Sequence, residues 1–145
     1  MNNPGTDNIT PKLRIRLRPG WHPAGDLAVP TYHRAASAES GTLQFSIAQF
    51  RHGTVPHTTE ETLISMCEKL TSNVRGRRDV TTASGTCDFG IYATVIAHGD
   101  SPARVQAWLL SNRQEFILIT HTCGNEPDPE EVREAHEIAL MTGFG

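Results

Sequence analysis

The chain has 145 residues, of which 37% are hydrophobic and 20% are charged, so its composition is that of one folded domain and excludes a largely disordered protein. Its formal net charge is −3 and its isoelectric point is about 6.1, which disfavours a dedicated nucleic-acid-binding protein. The charge is unevenly distributed, because residues 1–78 carry a net +4 and residues 79–145 carry a net −7.

The first 11 residues are polar, and we expect them to be a flexible leader to a single domain over residues 12–145. They contain neither the basic segment nor the apolar segment that a secretory signal needs. No apolar run approaches the roughly 18 residues of a membrane-spanning helix. The sequence therefore predicts a soluble cytoplasmic protein that does not bind a membrane.

Basic and apolar residues alternate over residues 12–18. The apolar members are Leu13, Ile15 and Leu17, and the basic members are Lys12, Arg14, Arg16 and Arg18. A period of two is typical of a strand with one buried face, so we expect a strand that ends at Pro19 and Gly20. The outward cations predict either a protected sheet edge or a surface that meets carboxylates, those of the chain's own acidic half or those of a partner.

A short strand near residues 27–33 and a clear strand over residues 43–50 are expected next, the latter because apolar residues alternate up to Ile47. Thr58 and Glu61 then have the spacing of a capping box, which predicts the start of a helix. Its inner face would carry apolar residues at spacings of three and four, namely Leu63, Met66, Cys67, Leu70 and Val74. Gly76 is placed to end this helix.

Three strands are predicted over residues 89–97, 103–110 and 116–122, with a further short strand over residues 80–83 that Gly85 ends. The turns between the three long strands are too short for crossover helices, so the three form an antiparallel meander. A second helix is predicted from Asp128 as N-cap, with Pro129 in its first turn and Glu131 three residues after the cap.

These elements predict an α+β protein with an antiparallel sheet of five to seven strands flanked by helices. The corner Pro19-Gly20-Trp21, the helix start at Thr58 to Glu61 and the order of the elements from Lys12 onward resemble the PsbP-like, or Mog-type, α/β/α sandwich. Members of that fold are mostly non-catalytic binders, among them a partner of the Ran GTPase, an extrinsic photosystem subunit and chaperones of type VI secretion effectors. The resemblance implies a binding role, and it assigns no individual site residue.

The predicted binding residues are Arg14, Arg16, Arg18, Trp21, Arg104 and Trp108. Trp108 shares a strand face with Arg104 and Gln106, where it would anchor an interface unless a helix covers that face and makes it core. Trp21 either contacts a partner or plugs the end of the sheet. The expected partner is a protein with an acidic surface, and a homodimer is the alternative form of such a contact.

The motifs of three large enzyme classes are missing, because the sequence has no phosphate-binding loop, no dinucleotide-binding glycine motif and no nucleophile elbow. We therefore predict a non-enzymatic adaptor, secretion-effector chaperone or immunity-type protein, with no catalytic residue, metal or cofactor. The alternative is a small metal-dependent hydrolase or ligand-binding protein that uses His22, His52 and His57. His121 alternates with Ile117 and Ile119, which predicts a histidine at the edge of the core with a hydrogen bond. Cys67, Cys87 and Cys123 are expected to be free buried thiols.

Overall fold

The computed structural model of the protein describes residues 13–24, 29–34, 41–49 and 59–145. The strands are β1 Leu13–Arg14, β2 Trp21–Pro23, β3 Thr31–Arg34, β4 Thr42–Gln49, β5 Arg78–Cys87, β6 Gly90–His98, β7 Arg104–Ser111, β8 Glu115–Cys123 and β9 Gly143–Phe144. The helices are α1 Glu60–Lys69 and α2 Pro129–Leu140. Neither of these helices is long and apolar enough to cross a membrane.

Within the described part of the chain, the main sheet has seven antiparallel strands in the order β2-β3-β4-β8-β7-β6-β5. This confirms the predicted α+β class, the number of strands and the antiparallel meander of β6, β7 and β8. Strand β1 pairs instead with β9, so the first and last described segments of the chain meet.

The helices cover opposite faces of the main sheet. On one face, α1 buries Leu63 and Cys67 against small residues of β6 and β7 such as Ala93 and Ala107. On the other face, α2 packs Ile138 and its neighbours against larger side chains of β4, β7 and β8, namely Leu43, Phe45, Trp108, Leu110, Ile117 and Ile119. The main sheet is therefore the middle layer of an α/β/α sandwich.

Helix α2 begins as predicted, because the Asp128 side chain accepts a hydrogen bond from the Glu130 amide and Pro129 lies in the first turn. The N-cap of α1 is Thr59, whose Oγ1 accepts from the Thr62 amide at 3.2 Å, and Thr58 lies outside the described residues. The prediction that Gly76 ends α1 is wrong. The helix ends at Lys69, where the hydroxyls of Thr71 and Ser72 donate to the carbonyls of Glu68 and Lys69.

The basic opening segment is not the long strand that its period predicts, because β1 contains two residues. The segment instead lies beside α2, since Arg18 is 3.7 Å from Glu137 and Arg14 donates to the carbonyl of Met141 at the end of that helix. Its alternation still describes two faces, since the apolar side chains of the segment pack against the core and Arg16 is exposed. A period of two indicates which side of a segment is buried. It does not indicate whether that side packs against a sheet or against a helix.

Strand β5 is much longer than the predicted strand at residues 80–83, and Gly85 does not end it. It forms a hairpin with β6 through Asp88 and Phe89 and pairs along its length, with a register irregularity between Arg78 and Thr81. Its small polar residues show no alternation because most of its side chains are exposed. Pairing with β6, rather than a buried face, therefore keeps it extended.

Candidate functional site

The predicted row of cations is partly neutralised by the chain's own acidic half. Arg14 lies 3.8 Å from the Asp88 carboxylate and donates to the Met141 carbonyl. Arg18 lies 3.7 Å from Glu137. Arg16 is exposed and has no carboxylate partner among the residues described here, whereas Lys12 lies outside them. In the described chain, Arg16 is therefore the member of the row that stays available to a partner.

Trp21 and Trp108 are both buried, at 4% and 0% exposed. The Trp21 indole nitrogen donates to Glu134 at 2.9 Å, and that of Trp108 donates to His136 Nδ1 at 3.0 Å. Burial lowers the pKa of His136, which favours the neutral ring that accepts this bond. The core interpretation of Trp108 is confirmed, and a surface role for either ring does not agree with the structure because α2 covers this face.

Arg104 is also inside the protein, at 6% exposed, and it cannot serve as the surface contact that the sequence suggests. It donates to Gln106 at 3.1 Å, and Gln106 donates in turn to the Thr94 hydroxyl at 3.0 Å. Its Nη1 is buried without a described partner. Burial lowers the pKa of Arg104, against the opposing effect of Cys123 and two nearby carboxylates.

The alternative histidine site cannot be assembled from the described residues. His52 and His57 lie outside them, and His22 is exposed on β2. His121, by contrast, is fully buried and hydrogen-bonded, which confirms the prediction made for it.

His121 belongs to a group that we call the polar cluster, which comprises His121, Cys123, Glu131 and Gly41. His121 Nε2 lies 2.7 Å from Glu131 Oε2, and the Gly41 amide donates to the same oxygen at 2.7 Å. Cys123 Sγ lies 3.8 Å from His121 Nε2. Burial raises the pKa of Glu131, but the hydrogen bonds from His121 and Gly41 outweigh that effect and lower it overall. Burial raises the pKa of the Cys123 thiol to about 11.

Three separate elements position the polar cluster. His121 and Cys123 are two apart on β8, so both face α2. Glu131 lies in the first turn of α2, where the sequence predicted a capping role, and it turns inward instead. Gly41 directly precedes β4. The sequence signal that points to this group is the alternation of His121 and Cys123 on one buried strand face.

A second candidate site is the outer edge of β5. It is the last strand in the main sheet, and no described strand pairs with its outer side. Residues 80–86 carry no charge and no proline, and four of these seven are exposed. Beside this edge lies a groove of about 520 Å³, lined by Thr59, Glu60, Glu61, Ile64 and Ser84. We call residues 80–86 the free edge.

Comparison with known proteins identifies the fold. No protein-family description and no curated protein matches the sequence. The solution structure of cyanobacterial PsbP (CyanoP) from Synechocystis sp. PCC 6803 aligns with a TM-score of 0.56 and 12% identity, over 100% of this chain and 99% of that chain. A crystal structure from Bacteroides thetaiotaomicron VPI-5482 aligns with a TM-score of 0.49 and 9% identity, over 92% of this chain and 45% of that one. The protein has a PsbP-like fold.

Proposed function

We propose that this protein is a non-enzymatic protein-binding module of the cytoplasm, in the class of adaptors, secretion-effector chaperones and immunity-type proteins, and that it receives an extended segment of its partner at the free edge. The observation that carries the proposal is the edge itself. Edge strands expose a row of unpaired backbone N–H and C=O groups, and proteins usually protect them with lysine, proline, bulges or a covering element.

Among the residues that the structure describes, the free edge has little of this protection. Its irregularity is confined to the start of β5, where the register shifts and Asp79 has a φ of 53°. From Thr81 to Cys87 the pairing with β6 is regular, so alternate residues of β5 point their backbone N–H and C=O groups outward. An extended segment that adds to such an edge gains main-chain hydrogen bonds along its length, which is a recurrent mode of peptide recognition.

The charges around β5 indicate the chemistry of the partner. Three arginines lie where β5 begins, namely Arg75, Arg77 and Arg78. Arg78 is paired with Asp100 at 3.2 Å, while Arg75 is exposed and has no carboxylate partner in the described ranges. The segment that fits is therefore uncharged where it lies along the free edge and acidic at the end that meets these arginines.

The groove gives this segment room for a side chain. Ser84 and Val80 point to the α1 face of β5, since the Ser84 hydroxyl donates to Glu60 at 2.7 Å and Val80 packs against the α1 core. Alternate side chains of an added strand fall on the same face, beside the first turn of α1. The main-chain bonds would supply affinity, and this groove would supply selectivity.

Site-specific photo-crosslinking in the native host tests the proposal. A benzoylphenylalanine is placed at Thr82 or Ala83, which are exposed on opposite faces of β5. The control position is Gln114, which is exposed in the turn between β7 and β8. We expect partner crosslinks from the two β5 positions and none from Gln114. Mass spectrometry of the crosslinked peptide should identify an extended segment with an acidic end.

A lysine introduced on the free edge should prevent partner binding, and the same change at the control position should not. With the crosslinker at Thr82, the change Ala83→Lys should abolish the crosslink by opposing strand addition, while Gln114→Lys should leave it intact. Crosslinks between two copies of this chain would replace the proposed partner with a homodimer. Crosslinks that survive Ala83→Lys, or their complete absence from β5, would contradict the proposal.

A further inference from the structure

The polar cluster brings a sulfur, an imidazole nitrogen and a carboxylate oxygen together inside the protein. Cys123 Sγ, His121 and Glu131 offer ligand atoms that all lie within 4.8 Å of one another. The three residues are 1%, 0% and 3% exposed. Thiolate, imidazole and carboxylate are the ligand types that bind Zn²⁺ in proteins. We infer that these three side chains bind one Zn²⁺ ion.

Gly41 shows that the three atoms face a common point. A Cβ built on Gly41 would lie 2.7 Å from Cys123 Sγ, 2.7 Å from His121 Nε2 and 2.9 Å from Glu131 Oε2. Zinc bonds are shorter than these distances, at about 2.0–2.2 Å to nitrogen and oxygen and about 2.3 Å to sulfur. An ion bound by all three atoms therefore lies closer to them than a Cβ of residue 41 would. Glycine leaves this space open because it has no Cβ.

Zinc binding needs only a small movement of these groups. His121 and Glu131 are joined by a direct hydrogen bond of 2.7 Å, and an ion between them widens their separation by roughly half an ångström. The Cys123 sulfur binds as a thiolate, and its proton passes to solvent. Three protein ligands leave the fourth tetrahedral position open.

Two of the three ligands carry a negative charge when they bind the ion. The Cys123 thiolate and the Glu131 carboxylate together offset the two positive charges of Zn²⁺. Arg104 lies opposite Cys123 in the register of β7 and β8. Burial and the carboxylates of Glu131 and Glu126 raise the pKa of the Cys123 thiol and Arg104 opposes them, so the thiol gives up its proton only as the ion binds.

The test uses the purified full chain after treatment with a chelator, titrated with Zn²⁺ alone by calorimetry and with Co²⁺ by absorption spectroscopy. We expect one ion per chain and a thiolate-to-cobalt charge-transfer band. Cys123→Ala should remove the band and weaken zinc binding by more than the roughly 10- to 100-fold that is lost when a residue hydrogen-bonded to a metal ligand is replaced. Cys67→Ala is the matched control, because Cys67 is equally buried but lies on the α1 face.

Each outcome tests the zinc site and is independent of the proposed binding at the free edge. Zinc binding that Cys67→Ala preserves and Cys123→Ala removes supports the inference. No binding to the wild-type chain, or binding that Cys123→Ala does not alter, overturns it, and the second result would place the ion elsewhere, for example at His22. If Cys123→Ala does not fold, the spectrum of the wild-type protein decides, because a cobalt complex without a thiolate band contradicts the site.

Discussion

Replacing Gly41 with alanine is expected to lower the free energy of unfolding by about 3 kcal/mol. The new methyl group would lie 2.7 to 2.9 Å from three atoms of the polar cluster. These distances are shorter than a carbon atom can approach without a shift of its neighbours. Relief requires Gly41 to move away from Glu131, so the 2.7 Å bond from its amide is lost as well. Urea denaturation at pH 7, in the presence of a chelator, measures the change.

Gly124→Ala is the control for this substitution. Gly124 is exposed, and a Cβ there would meet nothing within 4 Å. Its replacement should change the free energy of unfolding by no more than about 0.5 kcal/mol. If Gly41→Ala is equally mild, the close approach of Gly41 to the polar cluster is contradicted.

Replacing Glu131 with alanine is expected to cost about 3 kcal/mol at pH 7, because removal of one member of a buried pair leaves the other unsatisfied. Both the Gly41 amide and His121 Nε2 would lose their partner in a place that water does not reach. Glu130→Ala is the matched control on the same helical turn. Glu130 is exposed and pairs with Arg34 at 2.6 Å, so its loss should cost less than about 1 kcal/mol.

The cost of Glu131→Ala should depend on pH. The pKa of Glu131 is lower in the folded protein than its ordinary value of 4.5, so the unfolded chain takes up the proton first as the solution is acidified. The stability that this carboxylate contributes is complete above that value and is lost as the pH falls through the folded pKa. Denaturation curves at pH 7 and at progressively lower pH should show the two proteins converging. A difference that stays constant in acid would contradict an ionised Glu131 carboxylate.

Features that depend on neighbouring residues could be predicted from the sequence. Asp128 and Pro129 define the start of α2 by local chemistry, and the short turns between β6, β7 and β8 determine an antiparallel meander. The length of β5 could not be predicted in this way. Its small polar residues have no hydrophobic period, and only pairing with β6 makes them a strand.

Burial was harder to predict than strand position. The alternation correctly placed Arg104, Gln106 and Trp108 on one face of β7, but it could not report that this face lies beneath α2. The same is true of Arg14 and Arg18, whose carboxylate partners Asp88 and Glu137 are distant in sequence. A row of cations in the sequence predicts that carboxylates lie nearby. It does not predict which residues supply them.

The polar cluster was predicted only in part. His121 was expected to be buried with a hydrogen bond, which the structure confirms, but its partner Glu131 lies on another element. Gly41 lies 90 residues from Glu131 along the chain, and no local pattern marks it as the residue that approaches the carboxylate. Sites assembled from three elements in this way depend on the tertiary fold, which the sequence pattern specifies only as a class.

Amide hydrogen exchange of the isolated, monomeric protein tests the availability of the free edge most directly. In a strand at an open edge, alternate amides point away from the sheet into water. Over residues 80–86, about half of the amides should therefore exchange orders of magnitude faster than those of β7, whose residues are all buried in the middle of the sheet. Protection of all the β5 amides to the level of β7 would mean that the edge is already covered, and it would contradict the proposed binding site.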